Sequence, residues 1–278
     1  MKFIKMHGAG NDYIYLDCFF QKLPPDPAAL AVRLSDRNFG VGGDGLILIA
    51  PSQKADARMI MFNADGSEAE MCGNGIRCVA KYVFEAGIKK AETLRIETGS
   101  GVKEIGITLK NGKVEAARVN MGAPVLSPRD IPVNLAGEKA VETELPVEGR
   151  SFRITAVGMG NPHCVIYVED VKAFDVPFFG PRIERHPLFP QRTNVEFVQV
   201  VSPGEVIQRT WERGSGETLA CGTGASAVCV AGALTGRTDR KITAHLKGGD
   251  LVLEWQDDGS PVFMTGPCVE VIRGEVDA

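Results

Sequence analysis

Apolar positions recur along the chain with two different periods. The runs LILIA, ARMIMF and LRIETG are short, rich in branched apolar residues and bounded by Gly, Pro, Asp or Ser, which predicts β-strands. After Cys72 the spacing changes to three and four residues, at Ile76, Val79, Ala80, Val83 and Phe84. Gly87 ends this pattern, which predicts a helix that begins beside Cys72.

A second stretch repeats this arrangement late in the chain. Apolar residues follow Cys221 at helical spacing, at Ala225, Val228, Ala231 and Leu234, and Gly236 ends them. Both cysteines are therefore expected at helix N-termini. Short strands before and after one main helix in each half predict an α+β fold with mostly antiparallel sheet.

The two halves match in more than their helices. GSEAEMCGNG corresponds to GSGETLACGTG, so that Cys72 and Cys221 are 149 residues apart. At nearly the same offset, Asn11 falls on Asn161 in the turns GAGND and GMGNP. Further pairs are Asp44 with Asn194 and Phe62-Asn63 with Trp211-Glu212. This order predicts two pseudo-symmetric domains from an internal duplication, with a site in the cleft between them.

Composition narrows the class of protein. The 278 residues carry a formal net charge of −4, which argues against nucleic acid or an anionic membrane as a partner. No apolar run approaches the roughly 20 residues of a membrane-spanning helix, and no signal segment is present, so a cytoplasmic protein is expected. The seven cysteines include no Cys-x-x-Cys pair, and the four histidines are scattered, so neither a disulfide framework nor a metal site is expected.

Two cysteines at helix N-termini favour acid–base chemistry. Exposed N–H groups and the helix dipole favour a thiolate, whose usual pKa of about 8.5 we expect to be lowered. The same amides can hold a carboxylate. A matched pair of thiols on opposite faces of a substrate carbon predicts a two-base racemase or epimerase. By contrast, GVGGDG at Gly40–Gly45 precedes a strand, so it is interpreted as a turn and not as a nucleotide-binding loop.

The motifs MHGAGNDY, FNADGSEAEMCGNGIRC, GNPHCV, TNVEFV and ERGSGETLACGTGASA together resemble those of the diaminopimelate epimerase family over nearly the whole chain. The resemblance implies a cofactor-free interconversion of LL- and meso-2,6-diaminopimelate, in lysine and peptidoglycan synthesis, by a homodimer. It also implies two domains, each with a mostly antiparallel sheet wrapped around a central helix. The expected N-terminal domain comprises 1–117 plus 263–278, and the C-terminal domain 118–262.

The resemblance assigns site residues one by one. Cys72 and Cys221 match the two acid–base thiols, and His163 and Glu212 match the pair that tunes them. The amides that hold the reacting carboxylate in the family correspond to Gly73, Asn74, Gly222 and Thr223. The other substrate contacts of the family correspond to Asn11, Asn63, Asn161, Asn194, Glu212 and Arg213. Many relatives carry Gln where this chain has Gly45, which is therefore not expected to be a ligand.

Other readings stay open at this point. A cysteine in such a chain is often structural. A single nucleophilic cysteine with His163 as its base needs no repeat. A proline-type racemase shares the two-cysteine plan, and a redox-responsive binding protein would join Cys72 and Cys221 in a disulfide.

Overall fold

The computed structural model describes residues 1–277, which form eighteen strands and four α-helices. The chain divides into two compact units, Met1–Val119 with the segment that starts at Thr265, and Asn120–Met264. The functional assignment of two epimerase domains with limits near 117 and 263 stays a prediction. Within residues 1–277, no helix combines the length and apolar character that crossing a membrane requires.

The first unit contains two helices and most of ten strands. Its elements are β1 (Lys2–Gly8), β2 (Asn11–Asp17), α1 (Pro27–Ser35), β3 (Gly45–Ala50), β4 (Ala57–Asn63), β5 (Glu68–Ala69), α2 (Gly73–Glu85), β6 (Thr93–Thr98), β7 (Gly101–Lys110), β8 (Lys113–Asn120), the end of β17 (Phe263–Pro267), and β18 (Val269–Glu275). Strand pairing is antiparallel for β1–β2, β3–β4, β6–β7 and β1–β18, and parallel for β2–β3 and β4–β6.

The second unit repeats this order. Its elements are β9 (Thr143–Val147), β10 (Arg150–Gly158), β11 (Pro162–Tyr167), α3 (Val176–Glu184), β12 (Asn194–Ser202), β13 (Glu205–Glu212), β14 (Gly216–Thr218), α4 (Gly222–Thr235), β15 (Lys241–Leu246) and β16 (Gly249–Glu254). The parallel pairs are β11–β12 and β13–β15, which correspond to β2–β3 and β4–β6 in the first unit. The shared pattern confirms the predicted α+β class and adds parallel pairs to a mostly antiparallel sheet.

Helices α2 and α4 are the central helices that the spacing predicts. Every residue of α2 from Asn74 to Val83 is buried, and so is every residue of α4 from Gly224 to Gly232. The chain leaves α2 through Gly87 at φ 77°, and α4 ends on Gly236 at φ 65°. Both positions require the left-handed backbone that glycine adopts without strain, so the expected helix ends are confirmed.

Two shorter helices, α1 and α3, were not expected from the apolar pattern, although their start signals are present. Asp26 and Asp175 accept hydrogen bonds from the backbone amides of Ala29 and Phe178, and a proline follows each cap in the first turn. An acidic N-cap followed by proline is typical of a helix start. The loop GVGGDG leads into β3 and opens no helix, as expected.

Each unit has its own apolar core. In the first, Ile14, Leu16, Leu46 and Leu48 on the parallel pair β2–β3 pack against Leu30 and Leu34 of α1. In the second, Phe152 and Phe197 are buried among the partly buried rings of Phe174 and Phe179. Burying each such side chain contributes roughly 1.5–3 kcal/mol to the free energy of folding. These cores therefore stabilise the sheets that carry the polar residues described next.

Candidate active site

Cys72 is the N-cap of α2. Its backbone is extended, at φ −134° and ψ 119°, and its Sγ accepts a hydrogen bond from the Gly75 amide at 3.3 Å. The thiol also donates to Asn11 Oδ1 at 3.4 Å. The residues Cys72, Asn11, Asp44 and Asn74 are called the Cys72 cluster below.

Asn11 links the members of the Cys72 cluster. Its Nδ2 donates to Asp44 Oδ2 at 2.6 Å, and its Oδ1 also accepts from Asn74 Nδ2 at 3.3 Å. Arg37 in turn donates to Asp44 Oδ1 at 2.9 Å. Sequence reasoning did not assign Asp44 to the site, although its alignment with Asn194 in the repeat was a signal that could have identified it.

Cys221 occupies the same place on α4. It is the N-cap, its Sγ accepts from the Gly224 amide at 3.4 Å, and Thr223 Oγ1 lies 3.4 Å from the sulfur. The residues Cys221, Thr223, Glu212, His163, Asn161 and Glu196 are called the Cys221 cluster below. In both units the first-turn amides, at Gly73-Asn74 and Gly222-Thr223, lie at a helix N-terminus, where they can hold an anion.

Glu212 lies among the ionisable groups of the Cys221 cluster. Its Oε1 accepts from Thr218 Oγ1 at 2.6 Å. Burial raises the pKa of the Glu212 carboxyl, and the nearby Thr218 and His163 oppose that rise. The expected neighbourhood of Glu212, His163 and Cys221 is thus present within one unit.

His163 lies in a row of polar side chains that the sequence did not predict in full. Its Nδ1 is 2.8 Å from Glu196 Oε1, and its Nε2 is 2.8 Å from Asn161 Oδ1. The side chains of His163 and Glu196 are both 0% exposed. Glu196 was missed because it lies in the strand-like run NVEFV, where an isolated carboxylate gives no motif.

Asn194 and Arg213 are joined, but not through two side chains. Asn194 is buried, its Nδ2 donates to the Pro162 carbonyl at 2.9 Å, and its Oδ1 accepts from the Arg213 backbone amide at 2.9 Å. The exposed Arg213 guanidinium donates to the Gln191 carbonyl at 3.0 Å. Both polar atoms of Asn194 are therefore engaged, and its Oδ1 holds the backbone that carries Arg213.

Asn63 and Gly45 are paired across β3 and β4. Asn63 Nδ2 donates to Ser67 Oγ at 2.9 Å in the turn that follows β4. A Cβ at Gly45 would collide with the Phe62 carbonyl and lie 2.9 Å from Tyr13 Cε1. The backbone at Gly45 therefore has no room for a side chain.

The expected lowering of both thiol pKa values is wrong in its net direction. Burial raises the pKa of Cys72, and the amides of Gly75 and Asn74 offset only part of that rise. Burial also raises the pKa of Cys221 well above its usual range, and the carboxylates of Glu212 and Glu196 raise it further. Loss of hydration outweighs the helix-end amides at both sulfurs, so the thiol is the favoured form in each cluster.

Solved structures with low sequence identity share this fold. A PhzF-family phenazine biosynthesis protein from Bacillus anthracis superposes with a TM-score of 0.72 at 16% identity, covering 100% of this chain and 99% of the other. A hydroxyproline epimerase from Agrobacterium vitis gives 0.67 at 17% identity, covering 99% of this chain and 91% of the other. At these identities the likeness defines the fold alone.

Sequence comparison is more specific. The family model for diaminopimelate epimerase matches residues 3–127 and 155–271. The diaminopimelate epimerase of Acetivibrio thermocellus is 52% identical over 277 residues, covering 100% of this chain and 99% of that protein. The one from Methanococcus maripaludis is 48% identical over 277 residues, covering 100% of both chains. The chain therefore belongs to the diaminopimelate epimerase family.

Proposed function

We propose that this protein interconverts LL- and meso-2,6-diaminopimelate by moving the α-proton between two thiols, without an added cofactor. The observation that carries the proposal is the duplication of the cysteine cap: Cys72 and Cys221 stand at the same place on α2 and α4, each bonded to the amide three residues on. Family membership supports the choice of substrate. The product would serve lysine and peptidoglycan synthesis.

The proposed reaction uses the less populated thiolate form of one cysteine and the thiol of the other. The thiolate takes the α-proton, which leaves the electron pair on the carbon and the adjoining carboxylate. The opposite thiol then donates its proton to the other face of that carbon, so that one C–H bond breaks and one forms. The amides of Gly73, Asn74, Gly222 and Thr223 stabilise the charge that builds on the carboxylate.

The distal amino acid head of the substrate does not react, and the remaining polar set would bind it. The exposed Arg213 guanidinium suits a carboxylate, and Glu212 suits an ammonium. Asn161 offers its Nδ2 and Asn63 its Oδ1, whereas Asn11 would exchange a bond within the Cys72 cluster for one to the substrate. Asn194 contributes through the Arg213 backbone, because its own amide is already engaged. Holding the distal end orients the α-carbon between the thiols.

We also propose that the protein is cytoplasmic, that it has no nucleic-acid or membrane partner, and that it forms a homodimer. The apolar side chains of Val271 and Ile272 on β18 are 56% and 54% exposed, and a second copy of the chain is the occupant we assign to them. Light scattering after size-exclusion chromatography tests the dimer. A monomer at micromolar concentration contradicts it.

Solvent isotope exchange tests the reaction. We expect reduced protein in deuterium oxide to place one deuterium at the α-carbon of LL-diaminopimelate and to form the meso isomer without pyridoxal phosphate. L-Proline serves as the comparison substrate, and exchange with proline alone would favour a proline-type racemase. Diaminopimelate binding without exchange, in the presence of reductant, would favour a redox-responsive binding protein.

A further inference from the structure

Glu196 is the member of the Glu196–His163–Asn161 row to which the proposed reaction gives no role. Glu196 is 0% exposed, and the carboxylate lies 33 residues along the chain from the histidine that it contacts. Such a buried carboxylate is costly unless a specific partner compensates it. Its burial and its contact with His163 together indicate a specific role.

Strand pairing explains why these residues meet. Strands β11 and β12 are parallel, with Val165 opposite Glu196. Side chains two residues apart on a strand share a face, so His163 and Val165 project to the same side of the sheet as Glu196. The Glu196 carboxylate therefore lies beside the His163 imidazole, with its Oε1 2.8 Å from Nδ1.

The N-terminus of α4 closes the site from the other side. A Cβ at Gly224 would lie 2.6 Å from Glu196 Oε1 and 3.3 Å from Cys221 Sγ. Glycine thus allows the first turn of α4 to approach the carboxylate, which places the positive end of the helix beside it. The other oxygen, Oε2, is buried and has no hydrogen-bond partner within residues 1–277.

The hydrogen-bond geometry determines what His163 does. With Glu196 as the accepting partner, Nδ1 is the donor. The Asn161 Oδ1 only accepts, so Nε2 carries a hydrogen as well. With its Oδ1 held in this way, Asn161 keeps Nδ2 for a partner outside the row, and no residue in 1–277 bonds to that nitrogen.

We propose that Glu196 is a positioning residue: it holds His163 as a double hydrogen-bond donor and thereby orients the Asn161 amide so that Nδ2 faces the substrate. This inference rests on the proposed function, since it assumes that Asn161 contacts diaminopimelate. Asn11, the counterpart in the repeat, is oriented differently, by Asp44 at its Nδ2.

Glu196→Gln is the direct variant, because it keeps the size of the side chain and removes its charge. Without a fixed anion the imidazole keeps one hydrogen, the Asn161 amide turns over, and a hydrogen bond to a charged substrate group is lost. We expect KM for LL-diaminopimelate to rise about 10-fold or more, with a smaller change in kcat. Glu85→Gln is the matched control, since this partly buried carboxylate bonds Lys81 and the Val114 amide away from both clusters.

Nitrogen-15 NMR of histidine-labelled protein gives a readout that a structural role would not move. In the wild type we expect both ring nitrogens of His163 to be protonated, and in Glu196→Gln one of them to lose its hydrogen. A wild-type His163 with one bare nitrogen overturns the proposal, even if the variant fails to fold. A variant with unchanged KM and an unchanged ring spectrum overturns it as well. If the wild type turns over no diaminopimelate, the proposed function fails, while the ring spectra still decide whether Glu196 holds His163.

Discussion

The Cys72 cluster and the Cys221 cluster have corresponding backbones and different charges. The repeat aligns Tyr13 with His163, and Asn63 with Glu212, so that His163 and Glu212 of the second unit correspond to an aromatic and an amide side chain in the first. Leu46 likewise aligns with Glu196. The same backbone arrangement thus occurs in both units, but the two thiols lie in different electrostatic environments.

Helices α2 and α4 also differ in the charge that they place near their cysteines. Arg77 of α2 is fully buried and donates to the Gly73 carbonyl at 3.1 Å, and its charge lowers the pKa of Cys72. Ser226 of α4 donates to the equivalent Gly222 carbonyl at 2.9 Å and carries no charge. Helix α4 therefore carries no charged counterpart of Arg77. The comparison indicates that Cys72 loses its proton more readily than Cys221.

The largest effect is expected from removing either sulfur. Cys72→Ala and Cys221→Ala should each lower the rate of stereochemical inversion by roughly 10²–10⁴-fold, because each removes one partner of the proton transfer. Polarimetry or chiral chromatography of diaminopimelate measures the loss. Near-normal turnover in either variant would show that the clusters do not act as a pair. Cys229→Ala, on the buried part of α4, is the control for a cysteine outside the clusters.

A matched pair of glycine substitutions tests the difference in packing. A Cβ at Gly75 would meet the terminal Cδ1 of Ile47, which can move, whereas at Gly224 it would meet the buried Glu196 carboxylate. The gain in helix propensity is equal at the two positions. We expect Gly224→Ala to lower the free energy of unfolding by about 1–3 kcal/mol more than Gly75→Ala.

Urea unfolding followed by far-ultraviolet circular dichroism measures this difference in both units. Equal stability of the two variants would mean that Glu196 moves as freely as Ile47. The row that it forms with His163 would then not be rigid.

Alkylation tests the order of the two thiol pKa values. Cys72 is partly exposed and has Arg77 nearby, whereas Cys221 is 5% exposed and faces Glu212 and Glu196. We expect iodoacetamide to modify Cys72 several-fold faster, since Cys72 is more exposed and its pKa is raised less, so that it holds the larger thiolate fraction. Peptide mass spectrometry measures the alkylation of both cysteines in one sample. In the control, urea-unfolded protein, Cys72 and Cys221 should be alkylated at similar rates. Faster labelling of Cys221 would reverse the comparison.

The smallest effect is expected at Tyr13. Its hydroxyl lowers the pKa of Cys72, so Tyr13→Phe should raise that pKa and slow Cys72 alkylation about 5-fold, the equivalent of one hydrogen bond of about 1 kcal/mol. The rate at Cys221 in the same sample is the internal control. If both rates fall together, the effect of the substitution is not specific to Cys72, which contradicts a direct effect of the Tyr13 hydroxyl on that thiol.

The sequence by itself determined the frame of this protein. Local signals placed Cys72 and Cys221 at helix N-termini, because glycine ends and apolar spacing depend on short stretches of chain. The repeat then made the two caps equivalent. These signals are sufficient for the α+β class, for both central helices and for the two thiols, and the start signals at Asp26 and Asp175 would have been sufficient for α1 and α3 too.

Only the tertiary structure decided what surrounds each sulfur. Parallel pairing of β11 with β12 brings Glu196 under His163, and the turn before β3 brings Asp44 to Asn11. Neither contact follows from spacing, since the partners are 33 residues apart in each case. Burial also reversed the expected direction of both thiol pKa values, because the loss of hydration depends on atoms packed from distant segments and exceeds what the amides of one helix end restore.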